Sequence, residues 1–343
     1  MVAKKILISG ADGYIGCVLA NTLLSHGYEV HGIDTMYFKD ITLGQYNHSY
    51  PMTQKDIRSI TEDDLYGFDA VIHLAGLSND AMSIINPDLT EEINHKATIS
   101  LAKKARAAGV KKFLFSSSCS VYGRSSNAYV NESSKLNPLT PYAVSKIAAE
   151  QGLQKLASSD FFVGLLRNST VCGYSPKFRN DLVVNNFASS ALALSKINIH
   201  SDGSPWRPLI DVRDLATVFI AFLQTKNSKL NGRIINIGFT QSNVRVVDIL
   251  DSIKKVIPDC KIVFTGKHGA DSRSYKVDFS LFIKFFPGVT IQYPLERTIS
   301  DLVEKIKIHN ITKQDILSGK FERIVSLRNL LRQKRLTMNL CWK

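Results

Sequence analysis

Two residues in "PYAVSK" (141–146) have types and spacing suited to proton transfer. Tyr142 and Lys146 stand four positions apart, so a helix would carry both on one face. A tyrosine ordinarily gives up its proton at about pH 10. A neighbouring ammonium favours the phenolate, and a cationic cofactor ring would do the same, which makes such a tyrosine a base near neutral pH. A second stretch, "FLFSSSCSVYG" (113–123), opens as a buried strand and turns abruptly polar. Ser116, Ser117, Ser118, Cys119 and Ser120 put four hydroxyls and a thiol at its end. Either a polar loop begins there, or the hydroxyls line a reaction site at the carboxyl edge of a parallel sheet. A hydroxyl opposite the tyrosine would hydrogen-bond the same substrate oxygen.

A third stretch, "SGADGYIG" (9–16), spaces glycines at 10, 13 and 16 around Tyr14 and Ile15. Between a first strand and a first helix, glycines let the backbone turn tightly and approach a pyrophosphate, where free N–H groups and the helix dipole favour an anion. Asp34 ends the second strand about 20 residues on, where a carboxylate serves a ribose hydroxyl. The same carboxylate would repel a 2′-phosphate, so NAD is expected rather than NADP. Asp56, with Ile57 in "DIRS" (56–59), could close over the adenine; an isolated Asp at a strand end is otherwise a solvated turn residue.

These residues need a scaffold that brings strand ends together. "KKILISG" (4–10), "YEVHGID" (28–34), "DAVIHLAG" (69–76), "KKFLFSSS" (111–118) and "FFVGLLR" (161–167) read as strands. Helices are expected over 14–27, 91–110 and 141–157. Strands alternating with helices of this length indicate βαβ units and a parallel sheet covered on both faces. The pattern loosens after about Thr170, though 233–239 is again strand-like. The fold class is α/β: a Rossmann-type doubly wound parallel sheet with a smaller C-terminal α+β substrate-binding lobe. Residues 1–170, completed by about 209–240, form the dinucleotide domain; 171–208 and 241–343 form the lobe, ending in a basic helical tail. A ligand cleft is expected between the two.

The chain has 343 residues, enough for one large domain or two modest ones. No apolar run reaches the length of about 18 residues that a membrane-spanning helix needs. The first apolar run leads straight into the Gly-rich turn, as a first strand does and a secretory signal does not. Five cysteines (17, 119, 172, 260 and 341) form no C-x-x-C pair and no zinc spacing, so no metal site is expected, and reduced thiols suit a cytoplasm. The net charge of +13 could serve nucleic acid, an anionic membrane surface or an anionic small substrate. In the tail, "RIVSLRNLLRQKRLTMNLCWK", basic residues alternate with leucines at helix-like spacing, which reads as a solvated helical face.

The Gly-x-x-Gly-x-x-Gly spacing, with "HLAG" (73–76) and "PYAVSK", resembles the extended short-chain dehydrogenase/reductase family over nearly the whole chain. "SSCSVYG", "LRNSTVCG", "SPWRPLIDVRDLA" and "DSRSYKVD" are most similar to its NAD-dependent sugar-nucleotide epimerase/dehydratase branch, of the UDP-glucose 4-epimerase kind. The resemblance implies a Ser/Thr–Tyr–Lys set, which falls on Ser118, Tyr142 and Lys146. It adds Leu74, Ala75 and Gly76 of "HLAG" to the cofactor contacts. For the substrate it implies Arg207 and Arg273 as diphosphate ligands, and Thr170 where relatives often carry Asn. The stretch 177–186 would line the sugar–nucleotide cleft, Asn180 and Leu182 within it, while Ser78 and Asn79 would either border the hexose or merely cap a loop.

Relatives that eliminate water carry Asp and Glu directly after the catalytic Thr, and decarboxylases carry a Glu there. This chain has Cys119 and Ser120, which argues against both reactions. Relatives with a working cysteine carry it one position later, so Cys119 reads as a small filler. Reversible hydride exchange at a sugar carbinol remains. Tyr142 would take the hydroxyl proton, a 4-keto sugar would form, and reduction on its other face would complete a C4 epimerisation with NAD regenerated. Such an enzyme supplies activated sugars for surface glycans. The resemblance implies a nucleotide-diphosphate sugar as partner, no nucleic acid or membrane, and a homodimer through helices of the dinucleotide domain. One alternative is a keto-sugar-nucleotide reductase or dehydrogenase that consumes NAD(P)H. Another is a non-catalytic nucleic-acid-binding or scaffold member of the family, suggested only by the charge.

Overall fold

The structure is a computed structural model that describes residues 4–78, 83, 86–266 and 273–343. Seven parallel strands form its central sheet: β1 (Lys5–Ser9), β2 (Glu29–Asp34), β3 (Met52–Gln54), β4 (Ala70–His73), β5 (Lys112–Ser118), β7 (Phe162–Asn168) and β11 (Ile234–Ile237). Their spatial order is β3-β2-β1-β4-β5-β7-β11. The chain runs outward from β1 to β3, returns to β4, and then builds in the other direction. The switch between β1 and β4 opens a crevice at the carboxyl ends, which is where such sheets bind ligands. Ile6, Leu7 and Ile8 are fully buried, as continuous apolar strands are when both faces are covered.

Helices cover both faces. On one side α1 (Tyr14–Ser25) packs with α6 (Val212–Gln224) and α8 (Ser280–Phe285) through Leu19, Leu23, Phe219, Phe222 and Phe282. On the other side lie α2 (Pro87–Glu91), α3 (Ala97–Ala107) and α4 (Pro141–Gln154). Among the apolar residues there are Leu101, Ala149 and Leu153. A second core gathers α5 (Val183–Leu194), α7 (Val246–Val256) and α9 (Leu295–Ile308) around Phe178 and Phe321. Short sheets join this lobe to the rest. β8 (Thr170–Cys172) and β12 (Asn243–Arg245) flank β10 (Trp206–Asp211); β13 (Lys261–Phe264) pairs with β9 (Lys196–Ile199), and β14 (Ser274–Val277) with β6 (Arg124–Val130). Among the described residues no helix is long and apolar enough to cross a membrane.

Three features differ from the sequence reading. The edge strand β3 has only three residues and none of them is buried, so no apolar run announces it. The helix expected over 91–110 is broken by a π turn at Glu92–Lys96, between α2 and α3. After α10 (Lys313–Leu317), the tail keeps an exposed basic face at Arg328, Arg332 and Arg335, as the sequence predicts, but the helix is short and its other face is packed. Its last helix, α11 (Arg323–Arg332), and the residues beyond it turn Leu327, Leu330, Leu336 and Leu340 into the core beneath the central sheet.

Candidate active site

The Gly-rich turn is built on contacts that exclude any side chain. Gly10 has φ +83, and a Cβ there would sit 2.6 Å from the Ala75 nitrogen. A Cβ on Gly16 would sit 2.2 Å from the Gly10 carbonyl oxygen. Only glycine lets the turn, the first helix and the end of β4 meet this closely. Gly13 is the N-cap of α1, whose first N–H groups have no intrahelical acceptor. This backbone cradle fits a pyrophosphate. Tyr14, Ile15, Leu74 and Gly76 line the adjoining cleft. Asp34, at the carboxyl end of β2, accepts the Asp12 N–H at 3.0 Å and the Met36 N–H at 2.8 Å. Burial and the neighbouring Asp12 carboxylate push its carboxyl up to about 6. Asp56 caps the single turn Ile57–Ser59 and is held by the Arg58 guanidinium at 2.7 Å, with Ile57 buried below. The cradle and the carboxylate at the end of β2 together fit an adenine dinucleotide.

The chemistry side begins where α4 starts. Thr140 caps it, accepting the Ala143 N–H at 3.2 Å, and Pro141 occupies its first turn. Tyr142 and Lys146 therefore lie one turn apart on the cleft side. Lys146 is buried; its Nζ donates to the Ser116 carbonyl at 2.7 Å and lies 4.5 Å from the Phe115 ring centroid and 5.6 Å from that of Tyr142. Burial lowers its ammonium to about 8, with the Glu150 carboxylate opposing. Beneath it, Glu150 accepts from Arg167 at 2.7 Å and from the Ser117 hydroxyl at 2.5 Å, and both ions are almost wholly buried. This network anchors α4 to the ends of β5 and β7.

The serine-rich stretch divides its labour. Ser118 lines the cleft and caps the turn Cys119–Tyr122, its hydroxyl accepting the Ser120 N–H at 3.2 Å. Cys119 does not line the cleft; its thiol donates to the Arg167 carbonyl at 3.2 Å, and burial pushes it far above the usual thiol range. Ser120 does line the cleft. Among the described residues, its hydroxyl and the Asn168 side-chain amide oxygen are buried there without a hydrogen-bond partner.

The cleft has a volume of about 750 Å³ and runs on into the lobe. Thr170, Asn180, Leu182, Arg207 and Arg273 line it, so the predicted substrate residues share one space with Ser118, Tyr142 and Lys146. Arg207 donates to the Arg273 carbonyl, which keeps the two side by side at one end. The Asn180 amide oxygen is taken by the Ser189 hydroxyl at 2.5 Å. Ser78 borders the cleft and accepts from Arg179 at 3.2 Å; Asn79 lies outside the described residues. Asp211 caps α6 and pairs with Arg213 at 2.8 Å.

Sequence reasoning singled out none of three further residues, although one of them, Arg179, lies in the stretch 177–186 expected to line the cleft. Arg179 carries a buried guanidinium into the cleft, paired with Asp181 at 2.7 Å. Nothing separates it in the sequence from the other basic residues around it. Asn94, in the π turn, clamps the backbone of Leu77 with bonds of 2.8 and 3.1 Å and reaches Ser145 at 3.3 Å. π turns concentrate at functional sites, but this one has no signature in "EINHK". Asn168, after an apolar strand, binds Ser116 at 2.9 Å.

Comparison with known proteins agrees with this geometry. A family model described as the NAD dependent epimerase/dehydratase family matches residues 6–238. A UDP-glucuronate 4-epimerase of Thermodesulfobacterium geofontis is 27% identical over 88% of this chain and 99% of its own length. A putative UDP-glucose 4-epimerase of Methanocaldococcus jannaschii is 30% identical over 74% of this chain and 82% of its own. Among solved structures, the UDP-glucuronic acid 4-epimerase from Bacillus cereus, in complex with UDP-glucuronic acid and NAD, superposes with a TM-score of 0.76 at 25% identity, covering 89% of this chain and 99% of that one. With a sheet wound about a β1/β4 switch, a glycine cradle and a Ser–Tyr–Lys cleft, the chain belongs to the NAD-dependent epimerase/dehydratase family.

Proposed function

We propose that the protein epimerises a nucleotide-diphosphate sugar at C4 through a transient 4-keto sugar. The observation that carries this reading is the acid–base inventory of the cleft. Asp181 is the one carboxylate among its described lining residues, and Arg179 holds it. Elimination of water needs an acid–base pair beside the reacting carbons, and Cys119 and Ser120 offer none. Tyr142, Lys146 and Ser118 suffice for removing and returning one hydroxyl proton.

Gly10, Gly13, Gly16 and Asp34 would hold the cofactor, with Tyr14, Ile15, Leu74, Ala75 and Gly76 along it. When bound, NAD supplies reversible two-electron oxidation and reduction. Tyr142 accepts the carbinol proton and later returns it. Lys146, fixed by the Ser116 carbonyl and the Phe115 ring, holds positive charge beside the phenol and favours its ionised form. Ser118 hydrogen-bonds the same oxygen. Arg207 and Arg273 grip the diphosphate, for which paired guanidinium donors are suited. Uridine is the base to test first, because the relatives above act on UDP-sugars. We also propose a cytoplasmic homodimer serving glycan synthesis; the five unbonded cysteines suit a reducing compartment.

The test is a screen of nucleotide sugars with the purified protein, followed by NMR. The expected product keeps every oxygen and differs only in configuration at C4, with no net change in NAD. A 4-keto-6-deoxy sugar, carbon dioxide, or stoichiometric consumption of NADH would overturn the proposal.

A further inference from the structure

We infer that the C-terminal segment 323–343 is a working part of the cofactor site: it braces the adenosine end and sets how long NAD stays bound. The inference rests on NAD binding, and it extends the epimerase reading, in which the cofactor is regenerated within each cycle.

In a doubly wound sheet, the adenosine half lies beyond the carboxyl ends of β2 and β3, beside the acidic residue that ends β2. Two short segments flank that space here. One is the loop Thr35–Phe38, directly after Asp34; the other is the turn Asp56–Ser59, after β3. The tail is tied to both. The Trp342 indole N–H donates to the Thr35 carbonyl at 2.6 Å, and the Tyr37 hydroxyl donates to the Leu340 carbonyl. Across the gap, Arg58, which holds Asp56, donates to the Asn339 carbonyl at 2.9 Å. Four consecutive tail residues thus touch both sides, since Arg58 also reaches the Cys341 sulfur at 3.4 Å.

A second tie runs to the Gly-rich turn. Arg323, at the start of α11, lies 4.5 Å over the Phe38 ring and donates to the Lys177 carbonyl at 2.8 Å. Lys177 pairs with the buried Asp12 carboxylate at 2.7 Å, and the Asp12 N–H donates to Asp34. The tail therefore reaches the pyrophosphate turn through Lys177 and the ribose carboxylate through Lys177 and Asp12. Its leucines share the core that contains Ile33 and Ile57, so it cannot swing away without exposing apolar surface. Spreading the two flanking segments to release the cofactor requires breaking these ties.

The experiment is the rate of NAD release from the full-length protein, followed by chase with a fluorescent NAD analogue. Tyr37→Phe deletes one hydrogen bond while keeping the ring, and Trp342→Phe deletes another while keeping a smaller aromatic side chain. Each should speed release about three- to tenfold, and the double variant more, with the KM for the sugar nucleotide unchanged. Leu317→Ala, on an exposed apolar residue outside this segment, should change nothing. A chain ending at residue 337 should release NAD fastest; if it fails to fold, the point variants still decide. Release rates within twofold of the unaltered protein in the double variant, with melting temperature unchanged, would overturn the inference. Because the readout is cofactor release, it holds whichever sugar reaction the protein runs.

Discussion

At the residue scale, Tyr142 is the group on which the proposed turnover would depend. It stands at the start of a helix, half-buried at the cleft, so its hydroxyl supports little of the fold. Tyr142→Phe is expected to cut kcat by about 10²–10⁴-fold and to leave chemical denaturation within about 0.5 kcal/mol. Lys146→Met should move the acid limb of the pH–rate profile upward, since the charge that favours phenolate is gone. Asp34 makes a different prediction. Its carboxyl titrates near 6 in the folded protein, above its usual value of 3.8, so between those values the native state binds more protons than the unfolded chain. Stability from this group therefore falls as pH rises through that window and is level above about 6. A ribose hydroxyl donates to the ionised form, so NAD binding should release a proton. Below pH 6 the affinity should weaken by up to about tenfold per unit, and Asp34→Asn should flatten that slope in calorimetric titrations.

At the scale of elements, the position of α4 on the sheet sets the site. Its first two turns carry Tyr142 and Lys146, the groups proposed for the chemistry, and its later turns carry the anchor. Lys146 is one turn before Glu150, and Glu150 meets Arg167 and Ser117 at the strand ends. Both ions are nearly inaccessible to water, at 1% and 3% side-chain exposure. Removing one partner would strand the other, at a cost of about 3–5 kcal/mol. Arg167→Met should lose that much in urea denaturation although it touches no substrate. Should Arg167→Met unfold at the unaltered midpoint, the network is not what docks the helix.

At the scale of the molecule, the two lobes share one cleft, and its wall is cationic. Arg179, Arg207, Arg273, Lys146 and Lys196 line it, against Asp181 alone among described carboxylates. Part of the +13 charge thus faces the space where a diphosphate would lie. Any binding to DNA or RNA should be weak and fall steeply with salt, because phosphate contacts release counterions. Sub-micromolar, sequence-selective binding at physiological salt in a filter assay would contradict this and favour a scaffold role.

Much of this was determined by local order along the chain. A glycine triplet between strand and helix, an acid at the end of the next strand and a Tyr–Lys pair at helical spacing are short-range patterns, because each reports backbone sterics or periodicity within about 20 residues. The parallel sheet follows from the same alternation. What only the tertiary structure decided are contacts between distant segments. Arg179 enters the cleft because the lobe folds back toward Ser78, about a hundred residues earlier in the chain. Cys119 faces Arg167 rather than the cleft because the turn at Ser118 rotates it inward, while Ser120 takes the cleft side. Asn94 acts through a π turn that helical periodicity conceals. Leucines at helical spacing in the tail say that one face is buried, but not against what. Trp342 lies beside Thr35, 307 positions away, and no pattern along the chain records that meeting.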